Sequence, residues 1–178
     1  MTELARPDPR LHESWAECVR DYADLSEVHG SGHWHLPAAW QGDLGERACR
    51  EVVDVLLPYA DPAHVVPDGH VHCDYFWITD GAPPAVVGFL AVRHRLTPAL
   101  LEDGGNIGYS VRRARRGEGH ANRALALAVR RAAELGIDRV LLTCDEDNEP
   151  SRRTIERNGG VYDDSRHGKR RYWIATGV

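Results

Sequence analysis

An α+β (α/β) fold is predicted for this chain, with a mixed central sheet of about six to seven strands flanked by about four helices. Three observations predict it. Apolar residues recur at helical spacing near the start. The period changes to that of strands from Val71. A strand, a glycine-bearing turn, a helix and another strand then follow one another between Ile107 and Cys144.

The 178 residues are expected to form one domain, 1–178, with a helical segment over 1–70 and the sheet over 71–178. Leu11, Trp15, Val19, Tyr22 and Leu25 define an amphipathic first helix. A loop rich in glycine and histidine runs from Gly30 to Pro37. Asp43 is read as the cap of a second helix whose buried stripe is Leu44, Ala48, Val52, Leu56 and Tyr59. Val71–Thr79 and Ala85–Arg95 are β-branched, aromatic and apolar, with Asp80-Gly81 between them, and read as an antiparallel hairpin. One helical turn fits Thr97–Gly105, and Ile107–Val111 is a further strand. A helix is predicted over 119–135, with Gly136 as its stop. Val140–Cys144 is a buried strand. Asn148 caps a short helix to Arg157 that carries Pro150 in its first turn, and closing strands follow.

A net charge of −5 and a pI near 6.0 argue against a nucleic-acid-binding protein. No apolar run reaches membrane-spanning length, and residues 1–10 lack a signal-peptide core. Cys18, Cys49, Cys73 and Cys144 form no CxxC pair and read as free thiols in a reducing compartment, so the expected location is cytoplasmic. Two close histidine pairs, His70/His72 beside Cys73 and His33/His35, were weighed as metal ligands. Neither has a second pair at zinc spacing, and no metal is expected. The His33–His35 loop fits a substrate-facing lid better.

The informative stretch is Val111-Arg-Arg-Ala-Arg-Arg-Gly-Glu-Gly-His-Ala-Asn-Arg-Ala-Leu125. A strand ends there, a glycine turn follows, and a helix starts. The first amides of a helix have no intrahelical partner, and the helix dipole adds partial positive charge beside them. Gly117 and Gly119 let a bulky ligand approach the backbone. The junction therefore suits a diphosphate. The arginines Arg112, Arg113, Arg115 and Arg116 either add charge, orient the turn or form a solvated face. No Gly-Lys-Ser/Thr follows, so this is no P-loop, and the dinucleotide fingerprint is incomplete.

The Arg116-x-x-Gly119-x-Ala121 turn between strand and helix resembles motif A of the GNAT acetyltransferases. Val140–Ser151 and Asn158-Gly-Gly160 are similar to the strand and helix that follow in that family, so the resemblance spans roughly Ala85 to Ile174. It implies a GNAT-like fold and direct transfer of an acetyl group from acetyl-CoA to a primary amine of a small molecule. A catalytically weak acyl-CoA-binding module and a peptide N-terminal acetyltransferase are the alternatives. By the resemblance, Ser110 and Val111 pair with pantetheine and polarise the thioester. The amides of Arg116, Gly117, Glu118, Gly119, His120, Ala121 and Asn122 hold the pyrophosphate. Asn148 and Ser151 lie beside the pantetheine arm, although an N-cap explains Asn148 equally well. Many members carry a tyrosine seven residues after this asparagine and a glutamate at the start of the central strand. This chain has Ile155 at the first place and Gly105-Asn106 at the second, with Glu102 and Asp103 just upstream. His94, Tyr109 and Asn106 are the substitutes to consider for acid–base work, each with a structural reading beside the catalytic one. Cys144 reads as inert core. A small-molecule amine is the expected partner, with no nucleic acid and no membrane, and a homodimer is compatible with the chain.

Overall fold

A computed structural model describes residues 1–177. The elements are β1 (Glu3–Ala5), α1 (His12–Arg20), α2 (Pro37–Gln41), α3 (Glu46–Leu56), β2 (Cys73–Asp80), β3 (Ala85–Arg93), α4 (Pro98–Glu102), β4 (Ile107–Val111), α5 (His120–Glu134), β5 (Arg139–Asp145), α6 (Glu149–Arg157), β6 (Val161–Arg166) and β7 (Lys169–Ala175), with 3-10 turns between several of them.

The seven strands form two antiparallel sheets, ordered β1-β2-β3-β4 and β5-β7-β6. Alternation along the strands builds two cores from one sheet. Cys73, Tyr75, Trp77, Phe89 and Ala91 face α1–α3, where Trp15, Trp40, Val52 and Leu56 meet them. Phe76, Ile78, Leu90, Val92, Ile107 and Val111 face the other way, onto Ala124, Leu125 and Ala128 of α5 and Ile155 of α6. The predicted stripe Leu44, Ala48, Val52, Leu56 and Tyr59 is buried throughout. Its helix is capped by Gly45 without a side-chain bond, so Asp43 is not the cap. Asn148 does cap α6, its side chain accepting from the Ser151 amide. β1 and α2 were not anticipated. β1 is three residues long and forms only because β2 offers it an edge, in the register Leu4 opposite Ile78. α2 is a five-residue helix started by Pro37.

Asn106 makes the principal backbone hydrogen bonds between the sheets, which also share an apolar core. Asn106 donates its backbone amide to the Leu141 carbonyl (2.7 Å) and accepts from the Arg93 amide (2.8 Å). Its side-chain oxygen accepts from the Leu141 amide (2.9 Å) and its side-chain nitrogen donates to the Arg93 carbonyl (3.2 Å). Gly105 fits beside it only because it lacks a side chain: at φ +62° a Cβ would collide with the Leu141 carbonyl. Beyond Asn106, no ladder links β4 to β5, and the strands part.

On the α5 side, Asp74 is fully buried and bound by Arg131 (2.7 Å) and Arg6 (3.2 Å), with His94 Nε2 at 3.6 Å. Burial pushes its carboxyl up, but His94, Arg131 and Arg6 outweigh that, and the net shift is downward.

Two outcomes follow. Asn106→Ala is expected to cost about 1–3 kcal/mol in urea unfolding, because it strips partners from buried backbone groups of both sheets. Arg131→Met is expected to cost about 3 kcal/mol at pH 7, since it leaves a buried carboxylate short of a partner. In the wild type the lowered carboxyl contributes above its unfolded pKa, and that contribution is lost as pH falls through the folded value. In the variant burial dominates, so the stability deficit should narrow at pH 4. A deficit unchanged between pH 7 and pH 4 contradicts this assignment.

Candidate active site

β4 ends at Val111 and the chain turns through a 3-10 segment, Arg113–Arg115, into α5. Gly117 (φ +83°) and Gly119 (φ +85°) take left-handed conformations that L side chains rarely adopt, and a Cβ at either would meet nothing within 4 Å. The space before the turn is therefore open. The Arg116 amide donates to the Arg113 carbonyl (3.2 Å), which removes it from the expected set. Among the described residues, the amides of Gly117, Glu118, Gly119, His120, Ala121 and Asn122 have no protein acceptor; the next amide, that of Arg123, bonds the Gly119 carbonyl. Six consecutive free donors at a helix start make a candidate anion cradle.

The arginines shape this cradle and do not charge it. Arg112 binds Asp21 (3.3 Å), and Arg113 binds Glu27 (2.6 Å). Arg115 binds Glu118 (2.9 Å) and Asp80 (3.1 Å). Arg116 donates Nε to the Val111 carbonyl (3.0 Å) and reaches Glu27 (3.4 Å). The buried His120 ring contacts Thr2 Oγ1 (2.9 Å), Arg115 (3.1 Å) and Glu118 (3.2 Å), fixing the first residue of α5. Asn158 donates to the Asn122 side-chain oxygen (3.0 Å), tying the end of α6 to the first turn of α5.

From the cradle a gap runs between β4 and β5 back to its closed end at Asn106. Antiparallel pairing alternates, and the Arg112 amide donates to the Val87 carbonyl (2.9 Å). By that alternation Gly108 and Ser110 turn their backbone groups toward β3, and Tyr109 and Val111 turn theirs into the gap. The Tyr109 side chain lies on the α5–α6 side, its hydroxyl 3.0 Å from Ser151 Oγ. Burial pushes the Tyr109 phenol up to about 12. Ile155, fully buried, packs in the core below. Burial also raises the Cys144 thiol, so it stays neutral.

On the opposite face the Tyr22 hydroxyl donates to Ser110 Oγ (3.1 Å), which donates to the His29 carbonyl (2.8 Å). Gly30 (φ +79°) lies so close to β4 that a Cβ would collide with the Gly108 carbonyl. The loop from His29 onward is thus seated on the central strand. His33 and His35 do not form an open lid. The His33 ring contacts Ser31 Oγ (3.0 Å), and the His35 ring is held between Tyr75 (2.8 Å) and Tyr59 (3.2 Å). Burial takes the His35 pKa down to about 4.

Two of the three acid–base candidates are placed elsewhere. His94 sits in the Asp74 network and stacks on His72 (6.2 Å). Asn106 has both side-chain groups committed to the seam. Only Tyr109 borders the gap. The sequence reading passed over His29, because its position depends on a contact with Ser110, 81 residues away; its only local signal was the glycine that follows it. Among the described residues no group of three or more His, Cys, Asp or Glu side chains is arranged to hold a metal ion, and no helix is long and apolar enough to cross a membrane.

The chain is similar in fold to several solved structures. RimJ of Mycobacterium smegmatis, in complex with CoA-disulfide, is 18% identical with a TM-score of 0.69, covering 98% of this chain and 81% of that one. An acetyltransferase (GNAT family) from Bacillus anthracis is 15% identical with a TM-score of 0.62, covering 99% and 96%. The microcin C7 self-immunity acetyltransferase MccE, in complex with acetyl-CoA and AMP, is 13% identical with a TM-score of 0.63, covering 98% and 92%. No curated protein matches the chain. The family model described as Acetyltransferase (GNAT) domain matches residues 67–161, a span running from the segment before β2 through the cradle and α6. With a strand, a glycine turn and six free amides inside that span, the chain belongs to the GNAT acetyltransferase family.

Proposed function

We propose that this enzyme transfers the acetyl group of acetyl-CoA directly to the primary amine of a small molecule. The observation that carries this reading is the run of free amides from Gly117 to Asn122 facing open space. It suits the pyrophosphate of a coenzyme, with hydrogen bonds supplied by fixed peptide dipoles. A pantetheine arm running from there along β4 has five residue steps from Val111, about 17 Å, before the gap closes at Asn106. The Tyr109 and Val111 amides face that arm, and Asn148 and Ser151 flank it from α6. The thioester then lies near Tyr109 and Gly108.

The neutral Tyr109 phenol and the Ser151 hydroxyl stand where the departing sulfur needs hydrogen-bond donors. This pair takes the place of the tyrosine that Ile155 replaces. A small acceptor is favoured because the loop at Gly30 is pressed onto β4 and leaves no room for a chain to lie along the strand there.

Gly119→Glu is expected to abolish acetyl-CoA binding in calorimetry, because a carboxylate enters the phosphate position; backbone strain adds about 1–2 kcal/mol of destabilisation. Gly119→Asn, which tolerates the same backbone, should keep most of the affinity. Equal affinity in the wild type and Gly119→Glu contradicts the site. Tyr109→Phe should lower kcat by about 10²-fold while leaving the acetyl-CoA Kd nearly unchanged. Wild-type kcat in that variant removes the tyrosine from the chemistry.

A further inference from the structure

Of the ten histidines, His12, His33, His35, His70, His72, His94 and His120 each have a ring nitrogen engaged by or paired with another protein group. Among the described residues His29, His64 and His167 have no ring partner. Only His29 lies on the central strand: its carbonyl accepts from Ser110 Oγ at 2.8 Å, and the residue after it is pressed onto Gly108. The residue is exposed although its ring is partly shielded from water, and the ring feels Lys169 from β7, Asp145 from β5, Asp103 from the segment after α4, Arg93 from β3 and the neighbouring His33.

Of these charges, Arg93 lies at the closed end of the gap. Arg93 donates to the Gly104 (3.1 Å) and Gly105 (3.0 Å) carbonyls beside Asn106. The nearby carboxylates are already occupied. Asp145 binds Lys169 at 2.8 Å, Asp103 is 4.0 Å from the same ammonium, and Glu102 binds Arg166 at 2.7 Å. A side chain that takes a proton from an incoming amine must be unpaired, exposed to the acceptor side and close to the thioester. His29 is unpaired among the described residues, is exposed, and is anchored on β4 through its carbonyl and through Gly30, whereas the carboxylates are paired.

We propose that His29 is the general base that deprotonates the acceptor amine, an assignment that rests on the acetyl-transfer reading of this site. The ammonium form of the acceptor gives one proton to the His29 ring. The freed lone pair forms the new C–N bond at the thioester carbonyl, the C–S bond breaks, and its electron pair leaves on sulfur. The second proton lost by nitrogen passes to that sulfur, completing free CoA and the acetamide. The protonated ring returns its proton to solvent, which its exposure allows.

Shielding of the ring from water lowers the His29 pKa below its ordinary value, the Lys169 and Arg93 charges adding to that, with Asp145 and Asp103 opposing. The ring is therefore neutral, as a base must be, across the neutral range. The acidic limb of kcat against pH is expected below about 6.5, the ordinary histidine value.

The test uses the full chain, acetyl-CoA and three primary amines, benzylamine, spermidine and glucosamine, with release of free thiol as the readout. His29→Gln should bind acetyl-CoA with the wild-type Kd, lose about 10²–10³-fold in kcat and lose the acidic limb. Added imidazole should restore part of the turnover of His29→Ala. A variant with wild-type kcat and an intact acidic limb overturns the proposal. So does a loss of kcat that leaves the limb in place and resists imidazole, which would mark a positioning role. Acetyl-CoA binding without thiol release by the wild type on any of the three amines would instead strike the transfer reading itself, and the base assignment would fall with it.

Discussion

Everything in the active region depends on Asn106. It gives and takes hydrogen bonds on both sides, to Arg93 of β3 and to Leu141 of β5, and so fixes the edges of two sheets that share an apolar core. Its side-chain amide copies the backbone pattern of a ladder for one step and then stops. Past that step β4 and β5 are free to diverge, and the backbone groups of Tyr109 and the Val111 amide are left facing an opening, the Val111 carbonyl being taken by Arg116. A continuous ladder would have consumed those groups and closed the gap. A looser joint would have left the two halves without a defined separation.

The two faces of β4 are then given different work by strand alternation. On one face Tyr109 meets Ser151 of α6, in a setting dry enough to keep a phenol protonated. On the other, Ser110 is a knot between Tyr22 of α1 and the His29 carbonyl, so the helical layer is tied to the same strand that borders the gap. The Tyr109–Ser151 contact and the Ser110 knot are thus separated by the thickness of one strand.

Much of this was legible in the sequence. The stripe from Leu44 to Tyr59, the glycines at 117 and 119 and the cap at Asn148 are local patterns, and each carries its physical reason within a few residues. The amides of 117–122 were readable for the same reason, since a helix start always leaves donors. What could not be read depends on contacts across the chain. Asn106 looked like a candidate for chemistry because nothing local shows that Leu141 will spend its side chain. His94 lay at a strand end, and only the fold brings it to Asp74, Arg131 and Arg6. β1 is too short to announce itself and exists by leaning on β2. The arginine cluster left open whether it adds charge, orients the turn or is a solvated face, and the carboxylates that occupy it come from the loop after α1, the turn itself and β2.

That occupation has a consequence for how an anion is held. Because Asp21, Glu27, Glu118 and Asp80 already balance the arginines around the turn, an anion bound there would meet peptide nitrogens and not free guanidinium groups. Screening by dissolved ions acts over about 8 Å at physiological ionic strength and weakens exposed charges that attract from a distance. It has far less purchase on donors in direct contact. A diphosphate held by such donors would feel little difference between dilute and concentrated salt.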